Sequence, residues 1–166
     1  DQINDIISNK VSGSSYDSYL KLYLANASEI PLDFNLEVRA VANNWNQGTG
    51  RLGNSPATTN GVSWEFTTAL SGSKWYNNGF VAGATGSYSG SNDGGGSWFT
   101  SSAYTYTQSF TYLSTKDIET KVTNIVDGWF SGSINNNGFI IKHTVDNEFS
   151  ADINVLELKY YSGNTH

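Results

Sequence analysis

The ionisable and nucleophilic residues set the first limits on what chemistry this chain could perform. Asp117, Glu119, Asp127, Asp146, Glu148 and Asp152 are the carboxylates that a sugar hydrolase would draw on. Such an enzyme needs one acid to donate a proton and a second to attack or activate water, and no local grouping marks two of these for those roles. A solvated surface accounts for them. Asp146-Asn147-Glu148 supplies hard oxygen atoms but lacks the regular ligand spacing of a calcium loop. His143 and His166 are the only histidines and cysteine is absent, so zinc and Cys/His nucleophilic chemistry have almost no raw material. The serines have no nucleophile-elbow context, and Gly94-Gly95-Gly96 is followed by neither a lysine nor a helix that would cradle phosphate. The expectation is no enzyme, no cofactor and no metal.

Aromatic side chains are the remaining residues with binding chemistry, because an exposed ring stacks on the apolar face of a sugar or fills a socket on another subunit. Trp75, Tyr76, Tyr88 and Trp98 lie amid small polar residues and are the candidates for glycan or subunit contact. Trp45, Trp64 and Trp129 are instead expected to anchor loops and helix in the core. Two signatures, Asn44-Trp45-Asn46-Gln47-Gly48-Thr49-Gly50 and Thr58-Thr59-Asn60-Gly61-Val62-Ser63-Trp64, place an indole beside glycines. That grouping has no use in a helix but can pin a long loop at its root.

Elements able to hold such loops are strands. Of the 166 residues, 14% are aromatic and only 14% charged, with 17 glycines as punctuation, a balance suited to strands joined by tight polar turns. The net charge of −6, with scattered basic residues, argues against a nucleic-acid partner. No apolar run approaches the roughly 20 residues of a membrane-spanning helix. Asp1 opens no signal peptide, so the chain is expected to be soluble.

Along the chain, Tyr19 to Leu24 alternates with Leu20, Leu22 and Leu24 inward. Phe34 to Val41 repeats the pattern with Phe34, Leu36, Val38 and Ala40 inward; the two strands should pair antiparallel or cross between sheets. Residues 43–102 read as a long ordered loop insertion with aromatic anchors. Tyr104 to Tyr112, Asp117 to Val122, Phe139 to His143 and Val155 to Tyr161 complete the strands, with Asp146 to Asp152 a loop. Thr123 is expected to cap a short helix to Phe130 whose apolar side is Ile125, Val126, Trp129 and Phe130. The whole, 1–166, is expected to be one all-β domain, an antiparallel jelly-roll-like β-sandwich. The absence of methionine and an apparent helical turn at Asp1–Ile7 suggest a fragment of a longer chain.

The run from Asp117 to Val126, with Trp129 and then Asn136-Asn137-Gly138-Phe139-Ile140-Ile141-Lys142, resembles the strand, capped helix and strand of disaggregatase-related, DNRLRE-type β-sandwich modules, a group that includes carbohydrate-binding members. The ordered set of Leu20-Lys21-Leu22-Tyr23, Pro31, the Trp45–Gly50 and Thr58–Trp64 loops, Gly94-Gly95-Gly96-Ser97-Trp98 and Leu158-Lys159-Tyr160-Tyr161 is similar to the version found in virion structural proteins of tailed bacteriophages, especially those of cyanobacteria and other marine bacteria. This resemblance spans nearly the whole chain. It implies a preceding strand, a following Pro-containing strand and a larger parent polypeptide. Its enzymatic relatives take their chemistry from a separate domain, so the implied role is structural or binding. The expected function is a structural virion component, as fibre, decoration or tail-associated protein. Its expected partners are other virion subunits, copies of itself in a homo-oligomer, and host surface polysaccharide. The alternative is a carbohydrate-binding module of an extracellular enzyme or adhesin.

Overall fold

The computed structural model describes residues 16–28, 33–50, 55–56, 58–69, 72–75, 81–86, 94–144 and 157–161. These residues form an all-β fold with antiparallel strand pairing and, among the described residues, one short α-helix and a 3-10 turn at Ser102–Tyr104. The strands are β1 (Tyr19–Leu22), β2 (Leu24–Ser28), β3 (Phe34–Ala40), β4 (Phe66–Thr68), β5 (Ser73–Lys74), β6 (Ala84–Gly86), β7 (Ser97–Phe99), β8 (Thr105–Phe110), β9 (Ile118–Lys121), β10 (Phe139–His143) and β11 (Glu157–Tyr160), with helix α1 at Thr123–Phe130. β3 is central in a three-stranded sheet ordered β10-β3-β8; β1 pairs with β9, β2 with β11, β4 with β5 and β6 with β7.

The alternation expected for residues 34–40 holds residue by residue. Phe34, Leu36, Val38 and Ala40 are each at most 6% exposed, while Asn35, Glu37 and Arg39 are half-buried. The expected strand from Tyr19 to Leu24 also keeps its alternation but is interrupted at Tyr23, and it pairs with neither edge of β3. The break has a cause distant in sequence. Asp117 Oδ1 accepts the Leu24 backbone N–H at 2.7 Å, so a side chain takes the place where β9 would have continued the ladder beyond its Leu22–Ile118 pair. Tyr23's carbonyl meanwhile accepts the N–H of Tyr161 at 3.0 Å, handing the strand to β11.

Two compact units can be distinguished. The first consists of the described residues within Asp1–Val38, Tyr106–Ile134 and Lys142–His166; the second, those within Arg39–Thr105 and Asn135–Ile141. In the first unit Phe34 stacks on Phe110 at a centroid separation of 4.8 Å, and Ile118, Val122 and Ile125 are at most 2% exposed. In the second, Ala42, Trp75, Trp98 and Phe99 form the apolar interior, with Ser97 Oγ at 0% residue exposure donating to Asn43 Oδ1 at 2.8 Å.

Several local expectations are corrected. The stretch 43–102 contains four short strands, β4 to β7, where a loop was expected. The helix begins one residue earlier than expected, at Thr123, so Val122 is its N-cap and no side chain caps it; the Thr123 hydroxyl instead accepts the Ser18 backbone N–H at 3.0 Å. Of its expected apolar side, Ile125 is buried and Val126 and Trp129 half-buried, whereas Phe130 is exposed. β8 ends at Phe110, leaving Tyr112 on the following turn. Asp1–Ile7, Asp146 to Asp152 and Val155 lie outside the described residues.

Candidate functional site

In the second unit the two glycine-rich signatures grip one another. Val62 N–H donates to the Asn46 carbonyl at 2.7 Å, and Thr49 N–H donates to Asn60 Oδ1 at 2.9 Å, whose amide returns a bond to Thr49 Oγ1 at 2.9 Å. The backbones cross at Gly48 and Gly61. A Cβ on Gly48 would come within 2.5 Å of Gly61 Cα, and one on Gly61 would meet the Gln47 carbonyl. Trp45 anchors this region as expected, its indole N–H donating to the Asn137 carbonyl at 2.7 Å.

Three other indoles, Trp64, Trp75 and Trp98, are placed contrary to expectation. Trp75 is 6% exposed, with its N–H bonded to the Ser63 carbonyl at 2.9 Å. Trp98 is 3% exposed on β7, with the Arg39 guanidinium 5.9 Å from its ring centroid. Neither candidate offers an open face for stacking in this structure, because Trp98 lies on β7, whose three residues are all buried, and Trp75, directly after β5, is buried with them. Tyr76 and Tyr88 lie outside the described residues. Trp64, expected in the core, is 60% exposed. Its carbonyl accepts the Gly95 N–H at 2.8 Å, and Gly94 lies so close that a Cβ there would be 2.5 Å from the indole nitrogen.

The first unit carries a more extended aromatic surface. Tyr19, Lys21 and Tyr23 occupy the outward parity of β1 and its extension, and Tyr19 and Tyr23 are 50% and 62% exposed. Across β9, Tyr19 is opposite Lys121 and Lys21 opposite Glu119, so those partners share the outward face. Leu24 pairs with Tyr160, which sets Tyr161 opposite Tyr23 one residue further on, and Tyr161 is 61% exposed. Directly opposed side chains in an antiparallel pair have Cβ atoms about 4.5–5.5 Å apart, so the Tyr23 and Tyr161 side chains leave neighbouring backbone positions.

Ion pairs occupy the space around these rings. Lys21 binds Glu119 at 2.8 Å, Lys121 binds Asp17 at 2.5 Å, and Lys159 binds Glu157 at 2.8 Å. Glu119 raises the Lys21 ammonium above its ordinary range through a hydrogen bond and its charge, and the Asp17 hydrogen bond does the same for Lys121. Lys159 and then Ser28 lower the Glu157 carboxyl by donating to it. The three lysines and three carboxylates of these pairs balance in charge.

A lysine that sequence gives no reason to bury also shapes this unit. Lys116 is 7% exposed, and its ammonium donates to the carbonyls of Ser114 at 2.7 Å, Thr111 at 2.8 Å and Tyr112 at 3.4 Å. It thereby ties down the β8–β9 turn, whose tip shows Tyr112 at 70% and Leu113 at 91% exposure. The strand register places Tyr23 beside Tyr161, and a charged clamp holds Tyr112; neither signal is local, so pattern reading along the chain pointed to other rings.

Among the described residues no three His, Cys, Asp or Glu side chains gather as a metal site, and no helix is long and apolar enough to cross a membrane. Comparison with known proteins finds no matching family model, curated protein or solved structure.

Proposed function

We propose that this chain works by contact, as a structural component of a tailed-phage virion that presents its outward tyrosine face to a partner. The observation that carries the binding part of the reading is the grouping of Tyr19, Tyr23 and Tyr161 on one surface, each at least half exposed. Large aromatic rings left in water on a regular strand surface are characteristic of recognition sites. The virion assignment draws on the ordered motif resemblance from Leu20 to Tyr161, and the jelly-roll-like sandwich belongs to the same proposal. Copies of the chain would meet in a symmetric homo-oligomer and with other virion subunits.

Imaging an intact particle and tracing this chain within it tests the reading. Repeated copies at defined positions on the particle surface are the expected result. A chain found only as a secreted domain beside an enzyme or adhesin would replace it with the second reading, a carbohydrate-binding module, which the same three exposed rings favour.

A further inference from the structure

We propose that the face formed by Tyr19, Tyr23 and Tyr161 takes a neutral, linear oligosaccharide of at least three sugar rings. This rests on the reading that the chain acts by binding through that face, and it supplies the ligand class which that reading leaves open.

Charge is the first argument. The lysines around the rings are engaged by carboxylates at 2.8 Å, 2.5 Å and 2.8 Å, and the pairs sum to zero. A polyanion, whether nucleic acid or an acidic polysaccharide, gains its affinity from unneutralised basic groups, and among the described residues this face supplies none in excess. A protein partner would have to strip water from three ion pairs set among the tyrosines, whereas the centres of protein interfaces are depleted in charge. A saccharide requires neither. Its ring C–H groups lie on an aromatic face while its hydroxyls bond to hydrated charged groups and to phenolic oxygens at its edges.

Spacing sets the length. Tyr19 and Tyr23 are four residues apart on one extended segment, which is about 13 Å at the usual rise of roughly 3.3 Å per residue. That is more than two sugar rings laid end to end. Tyr23 and Tyr161, exposed and on opposed backbone positions, supply rings at one end and Tyr19 a ring at the other, so only a chain that bridges them uses both ends. Lys21, 5.9 Å from the Tyr19 centroid and paired with Glu119, lies between them with donors and acceptors for the middle sugar.

The test is calorimetric titration of the full chain with neutral gluco-, manno- and galacto-oligosaccharides of one to six residues, and with oligogalacturonate as the acidic comparison. The expected result is binding within a neutral series whose affinity climbs up to three rings and then levels, with little dependence on salt. Tyr23→Ala and Tyr161→Ala should each weaken it about tenfold. Tyr23→Phe should retain it, and Tyr112→Ala should leave it unchanged. Each variant's thermal midpoint verifies that it is folded. No binding by any neutral series, tighter salt-sensitive binding of oligogalacturonate, or unaltered binding by folded Tyr23→Ala would each overturn the inference. If the chain is found in the particle yet binds no neutral sugar, this inference fails alone. If it binds sugar but is absent from any particle, the inference stands and the virion reading fails.

Discussion

Replacing Lys116 with methionine isolates the contribution of a buried charge to the β8–β9 turn. The ammonium makes two short bonds, 2.7 Å to the Ser114 carbonyl and 2.8 Å to that of Thr111, and a weak third at 3.4 Å to Tyr112. A hydrogen bond to a charged group contributes about 1.5–3 kcal/mol net, and two of them bring the gross loss to about 3–6 kcal/mol. Against this stands the recovered cost of burying an ammonium that is 7% exposed, several kcal/mol in a dry site and less beside a solvated turn. Thr111's carbonyl also keeps its bonds from Ser114 N–H at 3.0 Å and Ser114 Oγ at 2.9 Å, so it is not stranded. The expected net destabilisation is therefore about 2 kcal/mol, with methionine retaining most of the apolar stem. For a chain of this size that amounts to a fall of about 4–8 °C in Tm. Urea unfolding followed by circular dichroism should show a lower midpoint at constant slope, with faster hydrogen exchange at the Ser114 amide. Lys21→Met, which removes only an exposed pair with Glu119, is the control and should not shift the midpoint measurably. A Lys116→Met midpoint within about 0.5 kcal/mol of the parent, with Ser114 exchange unchanged, would refute the account.

Further outcomes follow from other contacts. Gly61→Ala should lower stability by about 2–3 kcal/mol, because the methyl meets the Gln47 carbonyl where the loops cross. Gly72→Ala, at φ +63° with open space around it, should cost only about 1 kcal/mol; equal thermal shifts for the two would show that the crossing is not tight. Burial, and then the charge of Asp117, raises the Tyr160 phenol above its ordinary value of 10.0. Its stabilising contribution is thus fully present below pH 10 and lost as pH rises through the raised value, so urea midpoints should fall in that window, and less steeply in Tyr160→Phe. Trp64, 60% exposed against 6% for Trp75 and 3% for Trp98, should dominate acrylamide quenching of the native protein; quenching unchanged in Trp64→Phe would contradict its placement.

Strand identity was legible wherever one face is buried, because burial writes period two directly into the chain, as at Phe34–Ala40. The loop signatures around Gly48 and Gly61 were legible as loops, but not as partners, since only the crossing explains why both must lack a side chain. Whether an indole points in or out was not legible. Trp64 and Trp75 sit in similar polar surroundings, yet Trp75 is buried with its indole N–H on the Ser63 carbonyl while Trp64 is exposed, and that Ser63 partner is a backbone group to which residue type gives no clue. Lys116 reads as an ordinary surface charge because the carbonyls it holds are an arrangement of backbone, to which residue type gives no clue. The tyrosine face was hidden for a similar reason: Tyr19 and Tyr23 were visible as outward residues, but Tyr161 joins them only through the β2–β11 register.

That register has a consequence for how the chain reaches its native state. Ser28 and Glu157, bonded across β2 and β11, are 129 positions apart, and the Ser18–Thr123 bond at the other end of the same segment closes 105. Residues 18–28 therefore emerge from the ribosome with hydrogen-bonding edges whose partners have not yet been made. Such long closures slow folding and leave strand edges open to mispairing with other chains. Lys21 on the early strand, charged and outward, makes sheet-like stacking between nascent copies unfavourable until Glu119 arrives to neutralise it.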